Sequence, residues 1–440
     1  MPLGTDLVTR LLEAIEANSL VFLCGAGLSV PAPSSIPAAA RVAEICYDTY
    51  QHIAALPPAL RADIDQLAEH FHQRGDFKPI FINQLVPWDD LVGRPNAGHA
   101  AIADLLICRA AHAALTANFD TLIEHWAEEH KVAMRGALDG QEAVAFSNAI
   151  SPLVKFHGCL QRDREQTLWT KPQLLEPEVQ ARVASCSQWM NLHLPQKDLV
   201  VVGFWTDWGY LNEVFANAFA IANARSVTVF DIGTTAELQQ KAPDLWTKLN
   251  GLSNRFEHVQ ISGAEALEQL RVAHSKVWAR RFFALGQPML QAVGQGVPAT
   301  ANPDLLDCDA LYDLRRDGEG VPYTRAAKTK APPQAGALSA FARLRFLHAG
   351  ATQQASWLDY GGQTIRIVNG AGRDLASVEA SYKEPSTRSQ ADMVVCAGAI
   401  DLAVPASLIA SGSGASIVRP APGGGARWLT WEQAQLELGI

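Results

Sequence analysis

The sequence predicts an α/β fold: a doubly wound, Rossmann-like parallel sheet with a small β-rich C-terminal domain. Three observations carry this. Short apolar runs such as LVFLC and DLVVV alternate with segments of helical periodicity through the first two-thirds of the chain. The runs are apolar at nearly every position, as parallel strands covered on both faces require. Towards the C-terminus the pattern gives way to brief β-rich segments separated by Gly and Ser.

The elements follow in order. A first helix is expected over 5–18, where Thr5 can cap and Leu7, Leu11, Leu12 and Ile15 form a stripe. SLVFLCGAG reads as a buried strand entering a glycine turn. Residues 38–73 read as helical with a break at Pro57-Pro58, and 97–108 as another helix. AALTANFD is a strand and turn, TLIEHWAEEH a helix, and LVKFHG (153–158) a strand ending in a polar dipeptide. DLVVVGF (198–204) is the clearest buried strand, and the helix after it is expected to start with Asp207 as N-cap. SVTVFDIG (226–233), a helix to about 250, the strand FEHVQIS and a helix over 263–284 complete four or five strand–helix units, enough for a doubly wound sheet. Residues 286–336 are rich in Gly, Pro and charge and read as a linker or insertion. In 337–440, ARLRFLHAG, QTIRIVNG, ADMVVCAGAI and ASIVRPA read as short strands.

A chain of 440 residues suggests two or three domains, and 48% hydrophobic residues against 18% charged ones permit a sizeable core. The net charge of −9 argues against direct nucleic-acid binding, which needs clustered Lys and Arg. Acidic residues stand near the N-terminus where a signal peptide has its apolar core, and no run is long enough for a membrane helix. The expectation is a cytoplasmic protein with no membrane contact. Cys24, Cys46, Cys108, Cys159, Cys186, Cys308 and Cys396 form no CxxC pair and read as buried or free thiols. Neither a P-loop nor a GxSxG pattern is present.

Glycine and polar residues recur where predicted strands end. Gly25-Ala26-Gly27-Leu28-Ser29 follows the first. Glycines there let a backbone approach a pyrophosphate, but a tight structural turn explains them equally, because Val30 stands where GxGxxG needs its third glycine. Ser35-Ile36-Pro37 comes next, then Thr116-Ala117-Asn118-Phe119-Asp120, then His157-Gly158, then Gly203 with Thr206 and Asp207 beyond. Open α/β sheets bind ligands at this edge, and packing alone does not explain such repetition.

In combination these motifs resemble the sirtuin family. GAGLSVPAPSSIPAAAR keeps the GAG, the Ser and the Ile-Pro of the family's GAGxSxxxGIPxFR. TANFD stands for TQNID, His157-Gly158 for HG, and Pro95-Asn96-Ala97-Gly98-His99 for a Pro-Asn-x-x-His segment before a helix. The resemblance covers roughly residues 10–265. It has departures. Ala39 and Ala40 replace the Phe-Arg, with Arg41 one position late, and Gly203-Phe204-Trp205 replaces GTS. The two CxxC pairs that hold zinc in deacylating members are absent, and only Cys159 and Cys186 fall in that region. HGCLQRDREQTLWTKPQL looks like the divergent, zinc-free bacterial branch that hydrolyses NAD⁺ in anti-phage defence.

The resemblance implies a sirtuin-like NAD-binding catalytic domain over 1–285, with NAD⁺ as substrate and no metal. Losing nicotinamide leaves an oxocarbenium-like ribose, so a base is needed. His157 suits that role, with a reference pKa of about 6.5. Asn118 is expected to orient the attacking water. Asp120 would accept from the nicotinamide carboxamide, or cap the helix TLIEHW, or both. Ser29 and the amides of Gly25, Ala26 and Gly27 are expected to face the phosphates, with Gly203 and Thr206 on the same edge. Asp231 would accept from an adenosine-ribose hydroxyl, or serve as a turn residue before Gly233. Asp207 reads as a helix cap, His70, His72 and His99 as solvated or structural, and Arg325, Lys328 and Lys330 as a solvated linker run.

The expected function is an NAD⁺ glycohydrolase, a defence effector depleting cellular NAD⁺. Related effectors work with short Argonautes, with HerA-type ATPases, with signal-sensing domains or as large homo-oligomers. The resemblance therefore implies a homo-oligomer, a partner protein or both, with residues 337–440 as the regulatory or assembly domain. The alternatives are an NAD-dependent protein deacylase, against which the missing cysteines argue, and a non-catalytic sensor of NAD or ADP-ribose. Cyclisation and ADP-ribosyl transfer share the first half-reaction.

Overall fold

The computed structural model describes residues 2–130, 132–148, 150–207, 209–218, 224–320, 330–355, 357–381, 391–401 and 426–440. The chain divides into two compact units, 1–128 with 133–270 and 129–132 with 271–440. Among the described residues no helix is long and apolar enough to cross a membrane.

The first unit runs α1 (Thr5–Glu16), β1 (Leu20–Cys24), α2 (Ala39–Tyr50), α3 (Ile64–Gln73), α4 (Ala97–Ile107), β2 (Ala113–Thr116), α5 (Leu122–Glu129), α6 (Gly140–Phe146), β3 (Leu153–Lys155), α7 (Pro177–His193), β4 (Asp198–Val202), α8 (Gly209–Ala218), β5 (Ser226–Asp231), α9 (Thr235–Lys241), α10 (Pro243–Gly251) and β6 (Phe256–Gln260). All six strands are parallel, in the order β3-β2-β1-β4-β5-β6. This is the doubly wound sheet the apolar runs predict. Every residue of β1 and β4 is buried, because helices cover both faces. One face packs Val21, Leu23, Leu115, Val201 and Val229 against Trp189, Phe215 and Leu245. The chain reverses its direction across the sheet between β1 and β4, so the loops after these strands flank the crevice where such sheets bind ligands.

A second core in this unit belongs to a helical module. Residues of α2 and α3 and of a π-helical stretch, Phe77–Leu85, pack with Trp88, Leu160 and Trp169, and Phe119 lies partly buried against them. This module reaches the loops that follow β2 and β3.

The remaining elements are α11 (Gly263–Ala292), α12 (Cys308–Gly318), α13 (Ala337–His348), β7 (Thr352–Gln354), β8 (Trp357–Tyr360), β9 (Gln363–Asn369), α14 (Leu375–Ser381), β10 (Met393–Ala397), β11 (Arg427–Thr430) and α15 (Trp431–Leu438). Their five-stranded sheet has the order β11-β10-β9-β8-β7, antiparallel from β7 to β9 and parallel from β9 to β11. Trp278, Phe282, Leu311 and Leu314 share one core with Phe341, Leu344, Ile365, Ile367 and Val395. In the same unit Arg366 makes a bidentate pair with Asp317, at 2.8 and 2.6 Å.

Three readings change. ARLRFLHAG is not a strand but most of α13. Its alternation is offset by good helix formers, and because the helix is buried nearly all round, no polar face marks its period. Residues 286–336 contain α12, whose residues Ala310–Gly318 are buried. The last long helix runs through Pro288 to Ala292 instead of ending at 284. ASIVRPA, Arg325 and Lys328 lie outside the described residues.

Candidate functional site

The expected site residues lie just beyond the C-terminal ends of neighbouring parallel strands. After β1, the glycine turn is tied to the end of β4: Gly25 N–H donates to Val202 O at 3.0 Å and Gly27 N–H to Gly203 O at 2.9 Å. A Cβ on Gly25 would stand 2.6 Å from Phe204 Cα. Gly203 itself sits at φ +60° against Leu28, a conformation that favours glycine. These glycines first bring two strand ends together. Two of the three amides expected at the phosphates are thereby engaged, and exposed Ala26 lies between them.

Ser29 is 1% exposed and turns inward, at the centre of a polar cluster. Its hydroxyl donates to Asp120 Oδ2 at 2.8 Å. Asn118 Nδ2 donates to Ser29 Oγ at 3.1 Å and to Gly25 O at 3.2 Å. The third contact is His99 Nε2, 3.0 Å from Ser29 Oγ. His99 Nδ1 accepts the Asn96 N–H at 3.2 Å, which makes Nε2 the protonated nitrogen of a neutral ring. Burial lowers the His99 pKa to about 4 and outweighs the opposing effect of Asp120. A neutral ring therefore donates to Ser29 and leaves the serine proton directed at Asp120.

Of the two readings the sequence offers for His99, solvated or structural, the structure shows the second: the ring is buried and bonded within this cluster. The signal was in the sequence. Asn96 caps α4 while His99, at the third helical position, returns a bond to the cap residue, a capping box with histidine in the usual Glu or Gln place.

Asp120 serves its neighbours through three oxygens. Oδ1 accepts Leu122 N–H at 3.2 Å, opening α5, and Oδ2 takes Ser29. Its backbone carbonyl accepts Lys155 Nζ. Lys155, on β3, is 1% exposed and pairs with Glu124 at 3.4 Å. Burial works to lower its pKa, but Glu124, Cys159 and Asp120 outweigh this and the net shift is upward. Sequence reasoning passed over Lys155, although a lysine inside an apolar strand signals a buried partner. Asn118 is half-buried, held by Thr116 Oγ1 at its N–H, and its carbonyl Oδ1 accepts no bond among the described residues.

His157 lies two residues beyond β3, 6% exposed, with Phe156 at 4.7 Å and Phe119 at 6.5 Å between ring centroids. Burial, then the Arg182 charge, lower its pKa to about 3, so the ring is neutral. Gly158 follows at φ +100°.

Among the described residues, the remaining candidates make no hydrogen bond to the Ser29 cluster. Thr206 is exposed. Asp207 accepts Leu245 N–H at 2.8 Å and Asp244 N–H at 3.4 Å, in the first turn of α10; its expected capping of α8 falls at residue 208, outside the described residues. Asp231 closes a turn onto Gly233 N–H at 2.8 Å through Oδ1. Cys159 and Cys186 are both buried, with Cys186 Sγ donating to Leu138 O at 3.5 Å. Among the described residues no three His, Cys, Asp or Glu side chains are grouped to hold a metal.

No family model matches the chain, and no curated protein matches it. Among solved structures it is similar to Sir2 enzymes. A Sir2 homologue in complex with NAD is 16% identical, covering 61% of this chain and 93% of its own, with a TM-score of 0.36. A second, from work on the mechanism and regulation of Sir2 enzymes, is 14% identical over 61% of this chain and 96% of its own, with a TM-score of 0.36. A Sir2 enzyme with an inhibitor, 2'-O-acetyl-ADP-ribose and a deacetylated p53 peptide is 13% identical over 60% and 96%, with a TM-score of 0.31.

Proposed function

We propose that the chain is an NAD⁺ glycohydrolase that cleaves the bond between nicotinamide and ribose. The observation that carries this is the juxtaposition of an interlocked Ser29–Asn118–Asp120–His99 cluster and the buried His157, two residues beyond the neighbouring strand β3, whose ring faces Phe119 between Asn118 and Asp120. NAD⁺ would lie across the crevice flanked by the loops after β1 and β4. Asn118, its amide fixed by Ser29 and Gly25, offers Oδ1 to the attacking water. His157 takes the proton that water loses as it adds to the ribose carbon. Asp120 holds the serine and the loop that carries Asn118. Asp231, at the end of β5, keeps one carboxylate oxygen for an adenosine-ribose hydroxyl.

The likeness of HGCLQRDREQTLWTKPQL to the zinc-free bacterial branch extends the reading to a defence effector. Such an enzyme has to be restrained until infection. Restraint would come from self-assembly or from a partner of the HerA-type ATPase or short Argonaute kind, engaging the second unit.

The test is incubation of the full chain with NAD⁺, with and without an acylated lysine peptide, followed by chromatography. The reading predicts nicotinamide and ADP-ribose in equal amounts whether or not peptide is present. Nicotinamide released only with peptide, alongside O-acyl-ADP-ribose, would replace it with the deacylase reading.

A further inference from the structure

The segment after Gly158 folds back over His157. Leu168 N–H donates to His157 O and Leu160 N–H to Phe119 O, both at 2.9 Å. Thr167 lies so close to Gly158 that a Cβ there would stand 3.1 Å from Thr167 Cα. The strap is fixed along its length. Arg182, itself largely buried, bonds Asp163 at 2.7 Å and Gln166 O at 2.9 Å. Arg162 bonds Glu142 at 2.5 and 3.0 Å. Gln173, fully buried, accepts the Trp169 and Thr170 amides and donates to Thr167 O.

The strap's payload is Trp169. Its indole N–H donates to Thr167 Oγ1 at 2.7 Å, and its ring lies 4.6 Å from Phe119, 5.6 Å from Phe81 and 5.9 Å from Trp88. Phe119 in turn meets the His157 ring. The indole cannot swing aside without opening the aromatic core of the helical module. On its Phe119 side, the histidine therefore backs onto a packed wall.

We infer that Trp169 and Phe119 set the size of the nucleophile that His157 can serve: water and the smallest alcohols, but not a four-carbon alcohol. The inference rests on the NAD⁺-cleaving reading. In that reaction the C1′–N bond breaks and its electron pair stays on nitrogen, giving neutral nicotinamide. The oxygen of water or an alcohol bonds to C1′, and its proton passes to His157. Water yields ADP-ribose and an alcohol yields the alkyl riboside, so product identity reports what fits.

The experiment measures that partition. The full chain is incubated with NAD⁺ in buffer containing methanol or n-butanol, and ADP-ribose, alkyl riboside and nicotinamide are quantified. The wild type should form ADP-ribose and methyl riboside, with butyl riboside about tenfold or more below methyl riboside. Trp169→Ala should raise the butyl-to-hydrolysis ratio about tenfold or more, the scale on which pocket walls discriminate small apolar groups. Phe119→Ala, on a separate loop, should do the same. The ratio is taken within one sample, so it reads only the folded, active molecules even where a variant folds poorly. Butyl riboside from the wild type at the methyl ratio, or a ratio unmoved in both variants, would overturn the inference while leaving NAD⁺ cleavage standing. Absence of nicotinamide release in every solvent would remove the parent reading and this one with it.

Discussion

Acidification should unfold this chain through two histidines before its carboxylates protonate. His99 and His157 are both buried, with pKa values lowered to about 4 and about 3 from a reference near 6.5. In the unfolded chain each would charge as pH falls below about 6.5; in the folded chain neither does. The unfolded state thus binds more protons in that window, and the stability these histidines lend, complete above pH 6.5, drains away as pH falls towards the folded values. Each contributes about 1.4 kcal/mol per pH unit. Between pH 6.5 and 4.5 the pair should remove roughly 5 kcal/mol, a large part of a typical domain's 5–15 kcal/mol. His70 and His193 shift the same way, also through burial first, but are more exposed and should add little. Urea unfolding followed by tryptophan fluorescence across this range measures the slope. His99→Gln should remove about half of it, because glutamine keeps a donor for Ser29 and does not titrate. A midpoint unchanged from pH 7 to pH 5 would refute the placement of both rings.

Three further outcomes follow from the geometry. Lys155→Met leaves Glu124 without its buried partner and frees the Asp120 carbonyl, so stability should fall by about 3 kcal/mol; a melting curve like the wild type's would contradict this. Asn118→Ala should cut turnover sharply while NAD⁺ affinity, measured by calorimetry, stays within a few-fold; equal losses in both would make Asn118 a binding residue. A chain ending near Pro333 loses Phe341, Leu344, Ile365 and Ile367 from the core they share with Trp278 and Leu311. It should be insoluble or melt well below the full chain; a soluble truncation with full-length stability would show that 337–440 is a separable module.

The sheet was legible because its strands are buried on both faces: LVFLC is apolar throughout and DLVVV at every position but Asp198. The strand-end motifs were legible for the same reason, since polar residues stand out after such runs. The C-terminal unit was harder. ARLRFLHAG alternates like a strand, and only its burial on all sides explains why helical periodicity does not show. The glycine turn was ambiguous on the page, and in the fold Gly25 and Gly203 answer first to each other. Lys155 went unread, and His99 was read only as solvated or structural, because their contacts are to residues 35 and 70 positions away, Asp120 and Ser29. Single-residue types carry no mark of such distant pairing, although the capping box at Asn96 and the charge within LVKF were local hints.

The central claim, that this sheet edge cleaves NAD⁺ with His157 as the base, is tested most directly by comparing nicotinamide release by the full chain and by His157→Ala. The account predicts stoichiometric nicotinamide and ADP-ribose from the wild type. In the folded variant the rate should be about 10²–10⁴-fold lower, the range for losing a general base, with NAD⁺ binding retained. Turnover by His157→Ala within a few-fold of wild type, or NAD⁺ left intact by the wild type, would contradict it.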